Sequence, residues 1–192
     1  VGEDHHQVAG GFQEIEGVHH RGDFDLTQHQ QASGKRLEYL DQPANRRYVP
    51  YVIETSVGAD RTLLAVLVNG YREEAVEGED EGRVVLRLLP SLAPIKAGIF
   101  PLVKKDGMPE LATELYNDLR KRIPVFYDDA GAIGRRYRRM DEAGTPFCFT
   151  IDGQTKEDQT VTVRDRDTGA QVRIASDQVV AYLRDRLSDA SS

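Results

Sequence analysis

The residues best placed to do chemistry lie in one stretch, VIETSVGADRTLLAVL, from Val52 to Leu67. Glu54 and Ser56 interrupt an apolar run at a spacing that puts both side chains on one side of a strand. Gly58 follows, then Arg61, then leucines at helical spacing, so a strand should pass into a helix near Gly58. The first turn of a helix offers free amide N–H groups and the positive end of the peptide dipole. Arg61, one turn in, adds a planar cation that can hold a phosphate or stack on a base. Glu54 could hold an ammonium, and Ser56 a hydroxyl or carboxylate. The spacing allows an amine site beside a phosphate and base site. The commoner outcome of such spacing is a buried Glu54–Arg61 ion pair that only braces the corner between strand and helix.

Other suggestive groups carry less. The five histidines, including His5-His6 and His19-His20, fit no standard zinc spacing, and the lone cysteine is far from them. GAIGRRYRR has neither the Lys-Ser/Thr of a P-loop nor the third glycine of a dinucleotide fingerprint. Its arginines, Arg135, Arg136, Arg138 and Arg139, either face an anionic partner or pair with Asp128, Asp129 and Asp141. Cys148, within PFCFTI, reads as a buried small hydrophobe.

The elements that must position these residues fall into two parts, 1–90 and 91–192. The 192 residues are 39% hydrophobic and 30% charged, the balance of a soluble globular chain with a real core. No apolar run approaches the ~20 residues of a membrane span, and VGEDHHQVAGG lacks the apolar centre of a signal peptide. A cytoplasmic protein is the simplest expectation. Residues 1–90 hold 9 Lys/Arg against 16 Asp/Glu, whereas residues 91–192 hold 16 of each. Six of the acids fall in EEAVEGEDEG, Glu73 to Gly82, which reads as a solvated loop near the boundary.

The first part is strand-rich. FQEIEGV alternates, and RLEYLD and RRYVPYVIETS can pair across QPANR. A helix, DRTLLAVLVNGY, then runs up to the acidic loop. The second part alternates regularly. IKAGIFPLV reads as a buried strand despite Gly98 and Pro101. PELATELYNDLRKR is a helix opened by Pro109, with Leu111, Leu115 and Leu119 on one side and basic residues at its end. VFYD and PFCFTI are strands separated by the helix IGRRYRRMDEAG. TVTVRDRDTGAQVRI reads as a hairpin, and Ser176 can cap a last helix carrying Val179, Val180, Leu183 and Leu187. A helix between the first two strands implies a parallel pair, and the hairpin an antiparallel one, so a mixed sheet covered by helices follows.

E-T-S-V-G-A-D-R resembles motif 3 of the class II aminoacyl-tRNA synthetases, in the form E-x-S-x-G-x-x-R found in glycyl-tRNA synthetases of the homodimeric type. QEIEGVHHRGDFDLTQH resembles the family's ELEGIANRTDFDL segment. LAPIKAGIFPLVKKDG, YDDAGAIGRRYRRMDEAGTPFCFTID and TVTVRDRDTGAQVR resemble its C-terminal domain. The blocks run in family order from about Phe12 to Leu187. The resemblance implies an α/β chain: an α+β remnant of the antiparallel class II catalytic domain in 1–90, then a mixed-sheet anticodon-binding domain in 91–192.

It also implies a reaction, the ATP-dependent activation of glycine and its transfer to tRNA(Gly), with Mg2+ accompanying ATP. Glycine has no side chain to grip, so selection has to use its ammonium, its carboxylate and a small pocket. The resemblance assigns Arg21, Glu54, Ser56 and Gly58 to glycine, with Glu54 pairing the ammonium. Glu14, Ile15, Gly58, Ala59, Asp60 and Arg61 go to ATP, Arg61 being the motif 3 arginine. Arg135, Arg136, Arg138 and Arg139 become candidates for the tRNA backbone. Thr55 stands where the family usually has Pro, and His19-His20 where it has small or amide residues. Motifs 1 and 2 precede the matched region and are not found, so the 192 residues are expected to be inactive alone. The full-length protein is expected to be a homodimer with no membrane contact. The alternative is a non-catalytic, synthetase-like nucleic-acid-binding accessory module, to which the retained Glu54, Ser56, Gly58 and Arg61 are ill suited.

Overall fold

A computed structural model describes residues 2–8, 11–75 and 82–188. Contacts divide the chain into two units, Val1–Val68 and Asn69–Ser192.

In the first unit β1 (Gly2–Val8), β2 (Gly11–Gly22) and β5 (Val52–Val57) form an antiparallel sheet in the order β1-β2-β5. Between β2 and β5 the chain forms helix α1 (Phe24–Ser33) and a short hairpin, β3 (Tyr39–Asp41) with β4 (Arg46–Tyr48). The QPANR turn is set locally: the Asp41 carboxylate accepts from the Ala44 N–H, and Asn45 takes a positive φ of 44°. Helix α2 (Ala59–Gly70) begins one residue after Gly58, as the sequence predicts. Helix α1 was not anticipated. It has no apolar stripe and no buried residue, and it ends at Gly34 in the left-handed conformation.

The second unit opens with the hairpin β6 (Tyr71–Glu74) and β7 (Arg83–Leu86). Glu73 and Glu74, expected in a solvated loop, instead lie in β6, where Glu74 pairs with Arg83 and Arg87 across the hairpin; residues 76–81 of that acidic run lie outside the described residues. The contact boundary falls after Val68 rather than at residue 90 because β7 packs into the second unit. Val85 is fully buried, and the buried Arg166 guanidinium donates to the carbonyls of Leu86 and Leu88.

Then follow β8 (Ala97–Pro101), α3 (Met108–Leu119), β9 (Val125–Tyr127), α4 (Ile133–Glu142), β10 (Phe147–Ile151), α5 (Thr155–Asp158), β11 (Thr160–Asp165), β12 (Gln171–Ala175) and α6 (Val179–Ser188). The sheet order is β12-β11-β10-β8-β9, parallel across β9-β8-β10 and antiparallel beyond β10. This is the mixed sheet the alternation predicts. One strand face, carrying Ile99, Phe147, Phe149, Ile151, Val161 and Val163, shares a core with residues of α3 and α6. On the other face Phe100 and Cys148 meet Met140 of α4. Gly98 is needed there: a Cβ would stand 2.5 Å from the Phe100 ring and 3.2 Å from Met140. Ser176 does not cap α6; its hydroxyl donates to the Gln159 carbonyl at 2.7 Å, tying the last helix to the loop before β11.

Candidate functional site

The register of β2 on β5 arranges the first group of candidates. Gly17 lies opposite Ser56 and His19 opposite Glu54. Alternation therefore puts Gly17, His19, Glu54 and Ser56 on one face of the sheet. His19 folds over Gly17 so closely that a Cβ there would come within 2.6 Å of its Nε2. The pairing shifts between His20 and Gly22, and Arg21 sits in that irregularity. Its Nε is 3.4 Å from a Glu54 oxygen, so the two side chains meet. Arg21 also grips Asp25 through two bonds of 2.8 and 3.0 Å. The Arg21 bond holds the Asp25 carboxyl below its ordinary range, and Asp25 correspondingly raises Arg21. Asp25 was missed from the sequence, although its i,i+4 spacing to Arg21 was a usable signal.

At the corner into α2 the Gly58 N–H bonds the Ile15 carbonyl at 3.3 Å, and its own carbonyl accepts from the Thr62 N–H and hydroxyl. Arg61 turns back along Gly58 and donates to the Glu14 carbonyl at 2.9 Å. Glu14, Ile15, Gly58 and Arg61 thus meet, with Ala59 and Asp60 in the first turn of α2. The competing Glu54–Arg61 pair does not form, and neither residue is buried: Glu54, Ser56, Gly58 and Arg61 are all exposed. The face carries a carboxylate and a guanidinium that could hold the two ends of a zwitterion. Beside it lies a helix N-terminus with a cation in its first turn. Among the described residues no group of three His, Cys, Asp or Glu could hold a metal.

The second group, on α4, is split by the fold. Arg136 is buried, donating to the carbonyls of Pro101 and Gly131, so it braces α4 and cannot touch a partner. Arg139 pairs with Asp128 and the Ala130 carbonyl. Arg135 is exposed. Arg138 lines a pocket of about 340 Å³ with Arg83, Gly134, Tyr137, Asp141, Arg164, Thr168 and Gly169. Asp141 accepts from Arg164 at 2.8 and 3.1 Å and from Arg83 at 3.2 Å, and Arg164 lies over the Tyr137 ring. Two guanidinium groups, those of Arg164 and Arg83, share that carboxylate, and Arg83 also pairs with Glu74 at 2.7 Å, so the pocket is lined by paired cations. Arg83 and Arg164 were not anticipated. Alternation along β11 sets Arg164 opposite to the inward Val161 and Val163, on the side that α4 covers, and this was the available clue.

Residues 96–186 match the family described as anticodon binding domain. The chain is 55% identical over 177 residues to the glycine–tRNA ligase of Chlorobaculum tepidum, an alignment covering 92% of this chain and 37% of that protein. It is 48% identical to the ligase of Rhodopirellula baltica, with 93% and 38% covered, and 53% identical to that of Thermobifida fusca, with 91% and 38% covered. The mixed sheet and its helices are thus consistent with the anticodon-binding domain of a class II synthetase. The chain as a whole is a homologue of the glycine–tRNA ligases, matching a C-terminal portion of them and spanning well under half their length.

Proposed function

We propose that this chain supplies part of the aminoacylation site and the tRNA-reading domain of a cytoplasmic, homodimeric glycine–tRNA ligase. The single observation that supports this most is the β2–β5 register, which lines up Arg21, Glu54 and Ser56 beside Gly58. Glu54 takes the glycine ammonium, Arg21 and Ser56 the carboxylate end, and Gly58 leaves room against the substrate. Arg61 stacks on adenine and neutralises terminal phosphates of ATP, next to Glu14, Ile15, Ala59 and Asp60. The substrate carboxylate is itself the nucleophile toward the α-phosphate, so these residues act by positioning and charge stabilisation. Magnesium would accompany ATP, held mainly by its phosphates and water. In the second unit the pocket of Arg83, Arg138 and Arg164, with exposed Arg135 nearby in sequence, takes the tRNA(Gly) backbone.

Steady-state ATP–pyrophosphate exchange tests this in the full-length ligase. Glu54→Gln loses a charge-assisted bond of ~1.5–3 kcal/mol, so the specificity constant for glycine should fall roughly ten- to a hundredfold. Arg61→Ala should weaken ATP use while leaving tRNA binding by the second unit intact. Wild-type glycine kinetics in Glu54→Gln would remove Glu54 from the site. Exchange activity in the isolated 192-residue chain would refute the claim that it is only part of the machinery.

A further inference from the structure

Packing does not account for helix α1. It buries no residue, carries no apolar stripe, and its N-cap Asp23 makes no side-chain cap bond. A ten-residue helix with neither a core face nor a cap has little to hold it in place. What it does have is a tie to the residues around Glu54. β2 ends at Gly22, where the chain reverses with a φ of 63°, and α1 begins at Phe24. That tight return brings the first helical turn back onto the residue before the reversal, and there Asp25 meets Arg21.

The contact is a fork. The Arg21 Nε–H donates to one Asp25 oxygen at 2.8 Å, and an Nη2–H donates to the other at 3.0 Å. Such a bidentate pair fixes the plane of the guanidinium as well as its place. Glu54 is the rival acceptor. Its oxygen stands 3.4 Å from the same Nε, whose single N–H is committed to Asp25. The Glu54 carboxylate accepts no hydrogen bond among the described residues. Asp25 raises the Arg21 pKa most, by its bond and then by its charge, and Glu54 comes after both. A guanidinium has five N–H groups. The fork takes one on Nε and one on Nη2, leaving an outer edge of Nη1 and Nη2 donors that a second carboxylate can fit.

We propose that Asp25 is a positioning residue of the glycine site. It holds Arg21 off Glu54, so that the Glu54 carboxylate stays open to the substrate ammonium and Arg21 presents its outer edge to the substrate carboxylate. Without Asp25, the Nε–H turns to Glu54, the acceptor already 3.4 Å away, and the two groups meant for the ends of glycine satisfy each other instead. The inference rests on the ligase reading and adds to it the group that keeps its two charged contacts apart.

The test is steady-state ATP–pyrophosphate exchange by the full-length ligase, read separately for glycine and for ATP. Asp25→Asn keeps the shape and loses the charged fork, so the glycine KM should rise about tenfold while kcat and the ATP KM stay within about twofold. Asp25→Glu restores the charge one methylene farther out and should recover most of the loss. Because Asp25 acts through Arg21, Asp25→Asn should add less than about twofold in an Arg21→Lys background, where no fork can form. An unchanged or lowered glycine KM in Asp25→Asn overturns the positioning role. So does an equal rise in the ATP KM, no recovery in Asp25→Glu, or the full effect added on top of Arg21→Lys. Each of those results leaves the ligase reading standing. That reading fails separately, if the full-length wild-type protein shows no glycine-dependent exchange.

Discussion

Replacing Asp141 by Asn should destabilise the second unit while making its arginine pocket a stronger, less selective trap for anions. The Asp141 side chain is 2% exposed, and its partners Arg164 and Arg83 are 11% and 14% exposed. Burial pushes the Arg164 cation toward losing its proton, and the bond and charge of Asp141 more than reverse this. Asparagine keeps the shape and one acceptor oxygen, but turns an N–H₂ toward two guanidinium donors and removes their shared counter-charge. Breaking a buried pair from one side costs ~3–5 kcal/mol, a large part of the ~5–15 kcal/mol of a whole domain. With a urea slope of about 2 kcal/mol per M, the midpoint should fall by roughly 2 M. Urea unfolding followed by far-UV circular dichroism measures this, and Arg164→Met in the Asp141→Asn background should recover part of the loss. RNA binding by the folded fraction should become steeper in salt, because the pocket gains net positive charge. A midpoint shift below about 0.5 M would refute the claim that Asp141 is the electrostatic keystone of this pocket.

Burial pushes the Cys148 thiol up to about 12, so the native chain should resist iodoacetamide at mildly alkaline pH and be alkylated only when unfolded; rapid native labelling would place the thiol at the surface. The Arg173 bonds hold the Asp152 carboxyl below its ordinary value, and at Glu74 the Arg83 and Arg87 bonds outweigh a burial that pushes the other way. A lowered folded value means stability that is full above the unfolded pKa of ~4 and is lost as pH falls through the folded values. Thermal unfolding of the chain should therefore decline only below about pH 4, less so in Asp152→Asn. Residues 69–192 expressed alone should give a dispersed amide NMR spectrum, whereas 1–68 alone should not; a dispersed, monomeric 1–68 would overturn that division.

Legibility from sequence followed the range of the forces. The strands β8, β10 and β11 were readable because IKAGIF, PFCFTI and TVTV bury unbroken or alternating apolar residues. The shared face of Glu54 and Ser56 followed from the two-residue period alone. Helix α1 was not readable, since its ten residues carry no apolar stripe. β6 and β7 were hidden because the acids around them outweigh the four-residue strands. The arginine pocket was hidden for another reason. Asp141 meets Arg164, 23 positions away, and Arg83, 58 positions away. The local view offered Asp141 to the arginines of its own helix, and the fold sent Arg139 to Asp128 and buried Arg136 instead.

The two units differ in how completely they bury themselves, and this bears on the chemistry of the proposed site. The second unit has fully buried cores on both faces of its sheet. In the first, Gly17 is the only buried residue among the described side chains of 14–68. Ile53 and Val57 stand exposed on the side of β5 away from Glu54, and Leu63, Leu64, Leu67 and Val68 are exposed along α2. Apolar surface of this extent calls for cover, and on the ligase reading the remainder of the catalytic domain provides it. The site needs that cover too. Two unit charges 4 Å apart attract by about 1 kcal/mol in water but about 4 kcal/mol at the effective dielectric of a partly enclosed site. With Arg21 and Glu54 both nearly half exposed, a glycine zwitterion gains little here, and the missing ~3 kcal/mol corresponds to roughly a hundredfold in affinity. Enclosure, rather than any further reactive group, is what would turn these residues from a surface ion pair into a glycine site.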